Sequence, residues 1–124
     1  MKKLLLAVIF CVSTITTAAL AEVKVGIILG FTGPIESLTP AMRDSAKLAF
    51  NEVNGDGAFL GGETITILES DSTCIDSAAA VTAAESQIAG GVAAIMGADC
   101  SGVTGAIASN VAVPNGVTMV SPSA

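Results

Sequence analysis

From Glu22 onward the chain alternates short β-branched runs with alanine-rich stretches of helical period, and this alternation constrains the fold more than any other feature. A strand, a helix and a second buried strand in succession form a βαβ unit, and repeated units build a parallel sheet. Four strands and three helices can be placed. The first strand is the apolar run Val23 to Leu29, ending in the turn-rich Gly30-Phe31-Thr32-Gly33-Pro34. Thr39 is read as the N-cap of a first helix with Pro40 at its first position; Met42, Ala46, Ala49, Phe50 and Val53 line one face, and Asn54-Gly55 ends it. Gly57, Gly61 and Gly62 suggest a loose connection or small hairpin before the second strand, Thr64 to Glu69. Asp76 or Ser77 caps a second helix running to about Ala89, with Ala80, Val81, Ala84 and Ile88 inward, and Gly90-Gly91 closes it. Val92 to Met96 is the third strand, and Ser101 is read as the cap of a last helix to about Val113. Pro114-Asn115-Gly116 then turns into a short buried fourth strand, Val117 to Val120.

The expected class is therefore α/β, a Rossmann-like parallel sheet with helices on both faces, in which strands two and three flank strand one. In such sheets ligands gather at the carboxyl ends of the strands. Those ends are Gly30 to Leu38, Ser70 to Ile75, Gly97 to Val103 and Ser121 to Ala124.

The residues before Glu22 have a different character. Lys2 and Lys3 precede an apolar run from Leu4 to Val12, polar Ser13 to Thr17 follow, and Ala19-Leu20-Ala21 has the small-x-small form of a signal peptidase site. Residues 1–21 are read as a cleaved secretory signal. The run is much shorter than the ~20 residues that span a bilayer, and no other segment is apolar enough for membrane insertion after cleavage. Cys11 lacks the small neighbours of a lipidation site and is expected to leave with the signal. Without Lys2 and Lys3, three basic side chains face eleven acidic ones, which supplies no footprint for nucleic acid. The high apolar content also excludes a disordered tail. The chain stops soon after its fourth strand, so residues 22–124 read as a piece of a larger domain.

The candidate chemistry is sparse. His is absent, which removes the imidazole base of the commonest hydrolases, and neither a metal cluster, a cofactor fingerprint nor a catalytic constellation is found; Gly30 and Gly33 do not make GxGxxG. Cys74 and Cys100 fall on the same sheet edge and, in an exported chain, are expected to pair. Strands separated by one neighbour lie ~10 Å apart, so their loops must lean together to reach the ~5.5 Å a disulfide needs. Two buried thiols, or a metal or redox pair, are the alternatives. Ser101 begins a helix directly after a strand, where its hydroxyl and the N–H groups of Ser101, Gly102 and Val103 can meet a ligand carboxylate, or where it is merely a cap facing water. Thr104 lies one turn further on. Asp71 and Asp99 are read as solvated loop acids.

Assembled in order, V-K-V-G-I-I-L-G-F-T-G-P-I at 23 to 35, D-S-T-C at 71 to 74, G-A-D-C-S at 97 to 101 and V-S-P-S-A at 120 to 124 resemble the start of periplasmic branched-chain amino acid binding proteins. The resemblance implies a periplasmic-binding-protein type I fold, of which residues 22–124 would form the N-terminal part of lobe one, leaving that lobe incomplete. It implies a soluble, monomeric periplasmic receptor, not an enzyme, that binds a small aliphatic amino acid or amide and delivers it to the membrane permease of an ABC importer. It also implies that Cys74 and Cys100 form the lobe-one disulfide, that Ser101 binds the ligand carboxylate, and that Ser123 and Ala124 fall at the site. Leu38 stands where an aromatic residue often walls the side-chain pocket. A sensory domain of the same fold and an exported α/β enzyme are the rival readings.

Overall fold

The computed structural model describes residues 21–124, so the expected export signal, apart from Ala21, lies outside the described residues. Its order is β1 (Glu22–Leu29), α1 (Thr39–Asp56), a 3-10 turn (Phe59–Gly61), β2 (Thr64–Asp71), α2 (Ser77–Ala89), β3 (Val92–Gly97), α3 (Ser101–Ile107), a π-helical continuation (Ala108–Ala112) and β4 (Thr118–Val120). The four strands form one parallel sheet in the order β2-β1-β3-β4. β1 lies between β2 and β3, as expected from the sequence. A chain that steps from β1 to β2 and then back across to β3 reverses direction, so right-handed crossovers send α1 and α2 to opposite faces.

One face carries the main core. Ile28, Val92 and Ile95 of the sheet meet Ala80 and Ala84 of α2 and Val103 and Ile107 of α3, all buried. The small residues let the helices approach the sheet closely, and Leu68, Val81, Ile88 and Met119 fill its margin. On the other face Val25, Ile27 and Leu29 are buried, with α1 lying over β1 and β2. α1 itself is lightly held: of the expected inward residues Met42, Ala46, Phe50 and Val53 are half-buried, whereas Ala49 is exposed.

Several boundaries differ from expectation for identifiable reasons. The N-cap of α1 is Leu38, because the Thr39 hydroxyl donates back to Glu36 O at 3.1 Å and Thr39 is already helical. The helix passes Asn54-Gly55 and ends at Gly57, whose φ of 62° gives the left-handed cap. Residues 59–61 make a 3-10 turn rather than a hairpin. Asp76 is the cap of α2, its carboxylate accepting from the N–H groups of Ala78 and Ala79 at 2.9 and 3.0 Å. Cys100, not Ser101, is the N-cap of α3, and the last helix shifts to π geometry after Ile107. β4 is not the buried strand expected: Val120 is 63% exposed, because among the described residues nothing covers that side of the sheet edge.

Candidate functional site

The carboxyl ends of the strands are stitched into one surface by side-chain contacts. Cys74 and Cys100 form a disulfide with a Cα separation of 5.3 Å, joining the β2 loop to the start of α3. The chain-entropy account gives such a 26-residue closure roughly 3–4 kcal/mol. Thr73 and Cys74 both take left-handed backbone, at φ 57° and 68°, which L side chains rarely adopt. They are held there by the bridge and by Asp71, whose carboxylate accepts from Thr73 N at 2.8 Å. Asp71 also accepts from the Thr32 hydroxyl at 2.5 Å, tying the β2 loop to that of β1. Burial opposes the charged form of Asp71, but hydrogen bonds from the Thr32 hydroxyl and from the backbone N–H groups of Thr73, Thr32 and Phe31 outweigh it, holding the carboxyl below its ordinary value.

Asp99 corrects the expectation of a solvated loop acid. It is 5% exposed, and both its oxygens accept the Gly30 N–H at 3.0 Å. The turn at the end of β3 needs glycine next to it: Gly97 has φ 140°, and a Cβ there would lie 2.0 Å from Ile28 O. The segment after β4 folds back on the same strand end. The Ser121 hydroxyl donates to Ala98 O, the Ser123 hydroxyl donates to Asp99 O at 2.8 Å, and Ala124 N donates to the Ser121 hydroxyl at 2.9 Å.

The structure thus brings Ser123 against Asp99, holds Ala124 to the same strand end through the Ser121 hydroxyl, and brings Cys74 to Cys100, the residue before Ser101. Ser101 is exposed as the first residue of α3. The half-buried Thr104 spends its hydroxyl proton on Cys100 O at 2.9 Å, within its own helix. Leu38 stands 56% exposed at the far end of the β1 loop, outside the stitching contacts. The surface is an open shelf, with no enclosed cavity and no metal-ligating cluster among the described residues. What the residue-by-residue reading missed is the set of hydrogen bonds linking the shelf, above all Asp99 to Gly30; an acid one residue before a bridged cysteine was the only signal.

A model of the periplasmic binding protein family matches residues 22–124. A Leu/Ile/Val-binding protein of Rhizobium johnstonii is 31% identical over 104 residues, covering 84% of this chain and 28% of that protein. Among solved structures, the branched-chain amino acid transporter substrate-binding protein LivJ of Streptococcus pneumoniae, in complex with isoleucine, superposes with a TM-score of 0.75 at 28% identity, over 83% of this chain and 29% of its own. An ABC transporter solute-binding protein of R. palustris in complex with benzoate gives 0.70 at 25% identity, over 84% and 28%. The chain spans about a third or less of the curated relatives it matches.

Proposed function

This chain belongs to the periplasmic binding protein family and has its type I α/β fold, and from that premise we propose that it supplies part of the first lobe of a receptor for small amino acids. The receptor works without chemistry. One lobe holds the α-carboxylate, a second lobe closes over the ligand, and the closed form docks on the permease of an ABC importer. Closure is a population shift driven by contacts made only in the closed state. In this reading residues 1–21 are the export signal, residues 22–124 are the lobe-one segment, and the receptor acts as a periplasmic monomer.

The observation that carries the proposal is the convergence of Ser121–Ala124 on Ala98–Asp99, one residue before the bridged Cys100 and exposed Ser101. Ser101 would hold the ligand carboxylate with its hydroxyl and N–H, and Ser123 and Ala124 would present backbone near the ammonium. Leu38 would flank the ligand side chain, and Thr104 would line the floor through its hydroxyl oxygen.

Calorimetric titration of the full-length protein with leucine, isoleucine, valine and benzoate tests this. An aliphatic amino acid is expected to bind, and Ser101→Ala to weaken it by roughly tenfold, the effect of losing one hydrogen bond to a charged group. Benzoate binding with no response to the amino acids would move the ligand class to aromatic carboxylates, the class held by the R. palustris structure. Failure of all four ligands to bind would overturn the reading.

A further inference from the structure

The geometry points to Asp99 as a positioning residue that sets Ser101 against the β1 loop, an inference that rests on the receptor reading above. Three consecutive residues lead into Ser101, and each is tied to the end of another strand. Ala98 O accepts the Ser121 hydroxyl, Asp99 O accepts the Ser123 hydroxyl, and Cys100 is bridged to Cys74. These ties reach the β4 and β2 ends. The side chain of Asp99 makes the remaining connection, to β1 at the centre of the sheet, through the Gly30 N–H.

Gly30 is itself confined: a Cβ there would lie 3.1 Å from the Cys74 Cβ and 3.5 Å from an Asp99 oxygen, so the β1 turn is clasped between the disulfide loop and the carboxylate. No cation shares Asp99 among the described residues. Lys24 donates to Gly90 O, Arg43 pairs with Asp44, and Lys47 pairs with Glu69. A nearly enclosed carboxylate is costly unless hydrogen-bonded, and here its role is to fix one backbone N–H from two sides. Displacement of that N–H would shift the loop that ends at Leu38 relative to Ser101.

The test is a comparison of wild type, Asp99→Asn and Asp99→Ala in the full-length protein, reading ligand affinity by calorimetry and backbone amides by NMR. Displacement of Ser101 relative to that loop predicts that Asp99→Ala weakens leucine, isoleucine and valine binding by about tenfold, at unchanged stoichiometry. Asp99→Asn, which keeps one acceptor for Gly30 N–H, should recover most of it. A purely structural role would instead lower the active fraction and leave the affinity of the rest intact. Across the variants, affinity and protection of the Gly30 amide from exchange should fall together; any variant in which they part overturns the assignment. Should Asp99→Ala fail to fold, wild type and Asp99→Asn decide by the same criterion. If wild type binds neither these amino acids nor benzoate, the receptor reading falls, and the positioning role is judged from the amide shifts alone. Asp99→Asn must then move Ser101, Gly102 and Val103 along with Gly30 while leaving Ala84 in α2 in place, and a change confined to Gly30 overturns it.

Discussion

Gly97 and Asp71 show how single residues shape this edge. Gly97→Ala would drive a Cβ into Ile28 O at a φ that disfavours any side chain. The expected loss is roughly 3 kcal/mol or more, read as a lower urea midpoint for the full-length protein. Asp71 acts through pH. Its carboxyl lies below the ordinary value in the folded state, so its contribution to stability is fully present above the unfolded aspartate range, about pH 4. It is lost as pH falls through the lower folded value. Asp71→Asn should therefore reduce stability at pH 6, with the gap to wild type closing below pH 4; a gap constant across that range would contradict the assignment. Neither effect was legible from residue type. An acid in a polar loop ordinarily faces water, and only the paired Thr32 and Thr73 donors reveal that Asp71 is held.

Asn54 does comparable work between elements. Its side chain donates to Ile65 O at 2.8 Å and accepts Ile65 N–H at 2.7 Å, so the end of α1 behaves as a short partner strand for the outer edge of β2. The Lys47–Glu69 ion pair makes a second link between the same elements. Exposed strand edges invite pairing with other chains, and covering one is a recurrent protection. Asn54→Ala should cost about 1–2 kcal/mol through the two lost hydrogen bonds, and light scattering should report faster aggregation on heating. On α2, Gln87 is 2% exposed and donates to Ile27 O, Leu68 O and the Ser70 hydroxyl, binding β1 to β2 from the core side. Gly26 leaves room for it, since a Cβ would sit 1.8 Å from the Gln87 amide oxygen and would require that side chain to move. Periodicity found the apolar face of α2 because Ala80 and Ala84 repeat at helical spacing. It passed over Gln87 because a polar side chain at an inward position is legible only from the backbone it serves. The helix starts moved by one residue for a similar reason: Thr39 spends its hydroxyl on the preceding turn instead of capping the helix.

For the molecule as a whole, strand count and parallel direction were readable, because β-branched runs and alanine-rich helices differ in period and connect as βαβ units. The exposure of β4 was not readable, since burial depends on what lies across the sheet. Over β3 and β4 the face opposite α2 carries half-buried Ala94 and Met96 and exposed Thr118 and Val120. Residues 22–124 expressed alone are accordingly expected to melt at low temperature, to bind amino acids poorly and to associate through the β4 edge. Val120→Lys should reduce that association in sedimentation velocity, and a cooperative melt with micromolar amino-acid affinity would refute the expectation. The strand order also carries a clock. β1 is the central strand and the first of the four to be synthesised, yet Glu22 pairs with Thr64 and Lys24 with Val92, so its partners arrive only after whole helices have followed. Throughout that interval Val25, Ile27, Ile28 and Leu29 travel as an unpaired apolar segment, open to non-native pairing until the later strands emerge.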